Sequence, residues 1–477
     1  MKKYLVSLGL LILFSCNAQT LLQETVTSPL EVFESEPVLK SAHYAVSIRE
    51  LKSQKEIIGL HSRDFMIPAS NLKLLYTLSA VDKYGENYKF TTLLYRSGDI
   101  KEGILEGNLV FQAFGDPSFA SLRFYEDLDQ IIEEIIAGIR RQGIKKVKGK
   151  LLMELNGWRY PAAGSWPIED IGNYYGTGAW DFNFRDNRLD IFVSRSEKEG
   201  EPVKILYTVP SVPGIKFISK VKTAAPGTGD EAYIYAAPFD NVRYIMGTIP
   251  AGKGEYRIKA GMPNPPLSFL KIFNEKLQAQ GIFTGGIEVK YKQKGYKNLI
   301  WSKESPPLLE ITKITNDYSM NHFSEALGWL LIQKDIPADG YLSKDSINAF
   351  FEKRYSMKNI DLEDASGLAP DNLIAPASLS LYLVQMSEKL GLDKVLDILP
   401  QGGKDGYAKY FLRNSPVQNR VWVKSGSVSK VRNYSGIFQA DSGKYYSFSV
   451  MTNFFKGTHS QASKAIEKLV EAYIHKL

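Results

Sequence analysis

The chain has 477 residues, 44% of them apolar and 23% charged, and carries a net charge of +7. This composition excludes a disordered or fibrous chain and is long enough for two or three domains with substantial cores. Cys16 is the single cysteine, which excludes an intramolecular disulfide, and the modest positive charge suits a polyanionic partner or a generally basic protein without pointing to nucleic acid.

In chain order, Lys2 and Lys3 precede an apolar run over residues 4–14. It is too short to span a bilayer and has the build of a secretory signal over residues 1–19, so export to the periplasm or cell envelope is expected. Leu13-Phe14-Ser15-Cys16 resembles a lipoprotein signal, which implies a lipid anchor at Cys16; cleavage after Ala18 is the alternative. Residues 20–40 are hydrophilic and read as a tether. Alternation over 42–49 and around 57–60 predicts two paired strands. Pro68-Ala69 then opens a helix over 70–83, with Leu72, Leu75, Leu78 and Val81 on its apolar face and Gly85 as its stop.

From about residue 91 to 294 the texture turns to short β-like runs, at 108–114, 188–193, 231–236 and 287–291, with helices at 128–141 and 267–280. Both helices end in Gln-Gly-Ile, at Gln142-Gly143-Ile144 and Gln280-Gly281-Ile282, a stop that places glycine in the left-handed conformation. Helical periodicity returns at 319–332, 343–354 and 377–390. Strands follow at 421–424, 435–439 and 445–454, with a hairpin turn at 441–444, before a closing helix from about residue 460. Strands at both ends with helices between them imply one α+β domain assembled from residues 20–90 and 295–477, interrupted by a large β-rich insertion over 91–294.

Three short motifs carry chemistry. Ser70-Asn71-Leu72-Lys73 lies at a helix start, where i, i+3 spacing puts hydroxyl and amine on one face near the positive end of the dipole. A partly desolvated lysine beside a hydroxyl can act as its base. Alone the pattern is weak, since Ser219–Lys222, Ser268–Lys271 and Ser427–Lys430 share it. Ser319-Met320-Asn321 supplies a second hydroxyl and an amide, and Lys424-Ser425-Gly426 ends a strand-like run continuing into Ser427. The order helix start, helix-edge turn and strand is what lifts the trio above chance. A set of this kind occurs in β-lactamases and penicillin-binding proteins.

The chain resembles the class C low-molecular-mass penicillin-binding proteins, the D-alanyl-D-alanine carboxypeptidase/endopeptidase family S13. The resemblance covers nearly all of the mature sequence and is carried by 68–75, 115–117, 165–175, 181–187, 317–326, 364–376, 403–406 and 424–436. It implies a penicillin-binding-protein/serine β-lactamase-like catalytic domain, with an antiparallel sheet and helices, whose insertion lies between the first and second motifs. It implies hydrolysis of peptidoglycan stem peptides through an acyl-enzyme on Ser70, with Lys73 as base, Ser319 relaying a proton to the leaving amine, and Asn321 holding the substrate amide. The oxyanion is expected between the backbone N–H groups of Ser70 and Ser427, and the terminal carboxylate on Lys424 and Ser425, with Gly426 beside them. Asp170 matches a position that touches substrate in relatives. β-Lactams are implied as covalent inhibitors, and no cofactor or metal is implied. Ser425 stands where threonine is usual, a hydroxyl-for-hydroxyl change, and Met320 where a polar residue is common.

Other readings have less to stand on. The five histidines show no metal-ligand spacing, His322 reads as a helix-surface residue, and no phosphate-binding glycine loop occurs. Trp166, Tyr174, Tyr175 and Trp180 are expected to pack the insertion, with a glycan platform as the alternative, and Gly367 to form a tight turn along the cleft. A serine β-lactamase would share fold and nucleophile. A non-catalytic envelope-binding protein would not require Ser70, Lys73, Ser319, Asn321 and Lys424 together.

Overall fold

The computed structural model describes residues 28–157, 160–332 and 343–477; the expected signal, Cys16 and the first part of the tether lie outside them. Sequence-distant strands build the first sheet. In spatial order these are Glu56–Leu60, His43–Glu50, Tyr445–Asn453, Val431–Gln439 and Val421–Val428, every neighbour antiparallel. His43 pairs with Asn453 and Glu50 with Tyr446, so the two ends of the described chain are hydrogen-bonded along a full strand.

Ala45, Val46, Ser47 and Ile48 are all fully buried, because helices cover both faces of this sheet. Val46, Ile48, Phe448 and Val450 pack with the closing helix His459–Lys476 and with Phe33. On the other face, Ala45, Ile437 and Met451 join a core supplied by the helices Lys73–Tyr84, Asn321–Ile332 and Pro376–Leu390. Burying an alternating strand on both sides produces the three-layer arrangement expected of an α+β domain.

The tether expectation is corrected for its later part. Pro29–Ser35 is a helix opened by a capping box between Ser28 and Glu31, followed by a 3₁₀ turn at Pro37–Leu39. Phe33, Val38 and Leu39 are at most 5% exposed, and Phe33 meets Tyr44 edge-on at 5.8 Å. A few apolar residues spaced for one helical turn were enough to dock a segment whose composition is hydrophilic.

A second sheet runs Ile287–Lys290, Leu151–Glu154, Leu109–Ala113, Thr91–Arg96 and Asn298–Glu304. Its first three strands are parallel. The helices Leu128–Arg141 and Pro265–Ala279 provide Ile132, Ile135, Ile139, Phe269 and Phe273 to a core built from the inserted region. Gly143 (φ 76°) and Gly281 (φ 79°) adopt the left-handed conformation just past these helices. Three smaller sheets complete the region. Asn298–Glu304 pairs with Thr91–Arg96 inside the second sheet, so the division expected at 294/295 cuts a hydrogen-bonded edge. The chain leaves that sheet only at about Ser305, because strand pairing and not local texture sets the boundary.

Candidate active site

Ser70 does not open a regular helix as its pattern suggested. It lies in a 3₁₀ turn, Ala69–Leu72, that feeds the α-helix Lys73–Tyr84. Ala69 is held at φ 45°, in the strained left-handed region that functional sites tolerate when their surroundings enforce it. Asn71 anchors the turn to the first sheet by donating to Ser435 Oγ at 2.7 Å. Gly426, in the edge strand, lets that strand approach closely: a Cβ there would stand 2.5 Å from the Pro68 carbonyl oxygen.

Lys73 is fully buried, with Nζ 2.7 Å from Ser70 Oγ and donating at 2.5 Å to the Ser366 carbonyl. Burial pushes its pKa down to about 7, against the opposing pull of Asp364 and Glu325. Glu325 is pushed up to about 8, first by burial and then by the charge of Asp364. At neutral pH the cost of burying charge therefore leaves a substantial share of uncharged amine beside the serine hydroxyl.

The segment that delivers the Ser366 carbonyl is pinned from two helices and from the inserted region, and by its own Asp364. Glu325 accepts the Ser366 amide at 2.7 Å, Ser324 donates to the Ala365 carbonyl at 2.6 Å, and Tyr76 donates to the Asp364 carbonyl at 2.8 Å. Asp364 accepts from the Gly367 and Ala369 amides, each at 2.7 Å, and from Trp166 Nε1, which reaches across from the inserted region at 2.8 Å. Gly367 is the expected tight turn, at φ 78°, and a Cβ would stand 1.9 Å from the Ala69 carbonyl oxygen.

Ser319, expected in a turn at the edge of a helical run over 319–332, lies two residues before the helix Asn321–Ile332, at φ 53°. Lys424 Nζ donates to Ser319 Oγ at 3.0 Å and to the Ser425 carbonyl at 2.7 Å. Burial, then the neighbouring Lys73 and Arg432, hold this second lysine well below its usual pKa. Asn321 Nδ2 donates to the Tyr175 carbonyl at 2.8 Å, and the Tyr175 hydroxyl donates to Asp170 at 2.9 Å. Asp170 thus adjoins the second motif through Tyr175, and burial raises its pKa. Ser427 is exposed, its hydroxyl 3.3 Å from His459 Nδ1.

The structure thereby joins Ser70 to Lys73, Ser319 to Lys424, and Asn321 to Asp170 through Tyr175. His322 is corrected: it is 3% exposed, packs edge-on against Phe323 at 4.6 Å, and burial lowers its pKa to about 3. The four aromatics divide. Trp166 and Trp180 are buried, as packing requires, whereas Tyr174 and Tyr175 line a cavity with Ser319 and Asn321. Sequence reasoning missed Glu325, whose signal was a lone carboxylate in a helical run buried from His322 to Ile332. It missed Ser366 and the Trp166–Asp364 bridge too, for which no local pattern exists.

Comparison with known proteins agrees with this geometry. The chain is 25% identical over 408 residues to D-alanyl-D-alanine carboxypeptidase DacB of Haemophilus influenzae, covering 83% of this chain and 82% of that protein. It is 21% identical over 483 residues to the D-alanyl-D-alanine carboxypeptidase of Actinomadura sp. strain R39, covering 94% and 80%. The fold is shared with the crystal structure of penicillin binding protein 4 from Haemophilus influenzae, with a TM-score of 0.79, 22% identity, and 93% and 99% of the two chains covered. A predatory peptidoglycan endopeptidase from Bdellovibrio bacteriovorus superposes at a TM-score of 0.52 with 16% identity, over 91% and 93%. The sequence pattern of one family matches residues 26–476, nearly the whole described chain, and on that match the protein belongs to the D-Ala-D-Ala carboxypeptidase 3 (S13) family, a family of serine hydrolases.

Proposed function

We propose that the protein is a penicillin-binding serine hydrolase that cleaves D-alanyl-D-alanine ends or cross-links of peptidoglycan stem peptides through an acyl-enzyme on Ser70. The observation that carries this reading is the 2.7 Å contact between Ser70 Oγ and a fully buried Lys73 whose pKa is depressed to about 7. An uncharged Lys73 takes the hydroxyl proton as Ser70 attacks the carbonyl carbon. The oxyanion is received by the backbone N–H groups of Ser70 and Ser427. Ser319, hydrogen-bonded to Lys424, passes a proton to the leaving amine while Asn321 holds the substrate amide. A substrate carboxylate meeting Lys424 and Ser425 supplies the counter-charge that this buried lysine lacks, and so restores its protonated form. Gly426 keeps the edge strand close to the serine turn. Asp170 tunes substrate choice through Tyr175 and makes no bond to the reacting atoms.

Action on peptidoglycan implies a location in the cell envelope, and membership of the D-Ala-D-Ala carboxypeptidase 3 (S13) family supports that reading. Among the described residues no helix is long and apolar enough to cross a membrane. Export by residues 1–19, with a lipid anchor at Cys16 or cleavage after Ala18, is part of the same proposal, supported by the apolar run that Cys16 closes. So is a catalytic part made from both ends of the chain, supported by the pairing of His43–Glu50 with Tyr445–Asn453.

The test is mass spectrometry of the purified protein after exposure to benzylpenicillin. One long-lived adduct is expected on the peptide containing Ser70, and none on folded Ser70→Ala. An adduct elsewhere, or undiminished labelling of that variant, overturns the mechanism. Rapid turnover of a chromogenic cephalosporin would instead favour a β-lactamase.

A further inference from the structure

Beside the second motif lies a cavity of about 230 Å³ whose walls come in equal part from the inserted region and from the segments around the second motif and Tyr407. Ser319 and Asn321 line it together with three cations, Arg123, Arg188 and Lys259. None of Ser70, Lys73, Ser425 or Ser427 lines it. The cations are set on aromatic walls: the Arg123 guanidinium carbon is 3.8 Å from the centre of the Tyr318 ring, and Lys259 Nζ is 5.3 Å from that of Tyr174.

The charges here do not balance. Asp190 serves Arg185 at 2.9 Å and Arg188 at 2.7 Å, with Arg257 at 3.9 Å, so one carboxylate faces three guanidinium groups. Asp186 is the carboxylate among the lining residues; it accepts the Ser121 hydroxyl at 2.5 Å, and burial raises its pKa. Arg123 and Lys259 make no ion pair with another described residue. After burial, Arg188, Arg257 and Arg123 push the Lys259 pKa down and Asp190 opposes them, so the net effect of the crowded cations prevails.

We propose that this cavity is a carboxylate-binding subsite on the leaving-group side of the scissile bond, which makes cross-linked stem peptides better substrates than stems that release D-alanine alone. The proposal rests on the proposed catalytic reading, in which Ser319 serves the leaving amine and Lys424 the carboxylate next to it. The cavity is lined by Ser319, which serves the leaving amine, and by neither Ser70 nor Lys73, so we assign a group in it to the departing half of the substrate, with Asn321 at the border where it holds the amide of the acyl half. D-Alanine carries a single carboxylate, already matched to Lys424 and Ser425. The departing half of a cross-link carries further carboxylates, and one of these is the anion that Arg123, Arg188 and Lys259 are arranged to receive. The volume lies below the ~300–1,000 Å³ of sites for whole drug-sized ligands and suits a single residue-sized group.

The test compares kcat/KM for a cross-linked muropeptide dimer with that for an uncross-linked pentapeptide stem, using the full mature chain. In Arg123→Gln/Lys259→Gln the dimer-to-stem ratio should fall about tenfold or more, mainly through KM, as expected for losing charge-assisted hydrogen bonds worth ~1.5–3 kcal/mol. Arg123→Lys, which keeps the charge, should retain most of the ratio. A dimer with its leaving-half carboxylates amidated should lose the preference in the unmodified enzyme and be indifferent to the double variant. An unchanged ratio in the folded double variant, or full preference for the amidated dimer, overturns the subsite. Benzylpenicillin labelling separates the two failures: normal labelling with an unmoved ratio removes the subsite alone, whereas no labelling of the unmodified enzyme removes the catalytic reading beneath it.

Discussion

Lys73 is subject to opposed electrostatic pressures, and their balance sets how Ser70 is activated. Burial disfavours the ammonium, while Asp364 and Glu325 favour it, leaving a pKa of about 7. Only the neutral amine can accept the serine proton, and below that pKa its population falls about tenfold per pH unit. Acylation by benzylpenicillin should therefore rise with pH at that slope and level off above about 7, as measured by stopped-flow or quenched labelling. A flat profile between pH 5 and 8 would show that Lys73 is not the base. Lys73→Ala should lower the acylation rate by about 10²–10⁴-fold, the usual contribution of a general base.

At the scale of elements, the site depends on backbone segments brought unusually close together. The turn bearing Ser70 touches two glycines, Gly426 on the edge strand and Gly367 in the pinned segment. Gly367 combines a positive φ with a Cβ position 1.9 Å from the Ala69 carbonyl, so any side chain must displace the turn that holds the nucleophile. Gly367→Ala should destabilise the fold by on the order of 1–3 kcal/mol from backbone strain, and more if the turn cannot shift. The variant that does fold should acylate slowly, because Ser366 is the residue whose carbonyl fixes Lys73. Thermal unfolding and labelling together check this; an unchanged melting temperature with unchanged acylation would contradict it.

For the whole molecule, the catalytic sheet is closed by contacts between opposite ends of the chain. The strand His43–Glu50 pairs with Tyr445–Asn453, and Phe33 packs beneath the closing helix His459–Lys476. Phe33 is 1% exposed, so Phe33→Ala should cost about 3–5 kcal/mol through lost burial and the cavity left behind. Denaturant unfolding would measure it, and a loss below ~1 kcal/mol would mean that the N-terminal helix does not brace the sheet. The inserted region also contributes to the site. Trp166 donates to Asp364, and Arg123, Arg188 and Lys259 face Ser319, so residues far from the motifs help shape the site.

Much of this was legible in the sequence, and the reason is local. The strands and helices that carry the motifs follow from period-2 and period-3.6 patterns, and the helix stops at Gly143 and Gly281 from the left-handed conformation that glycine adopts freely. Ser70 and Lys73 are three positions apart, so one turn of helix already places hydroxyl and amine together. Other features had no local signature. The left-handed setting of Ser319, the buried Glu325, the segment held by Asp364, and the docking of Phe33 depend on partners well beyond the reach of any local pattern, 41 positions away for Glu325 and hundreds for Phe33. So does the cation-lined cavity, since Arg123, Arg188 and Lys259 are separated in sequence and meet Ser319 only when the inserted region folds against the helices. The pKa of Lys73 belongs to the same class. Spacing put the amine beside the hydroxyl, but only tertiary burial, which removes water and sets Asp364 and Glu325 nearby, made it a base at neutral pH.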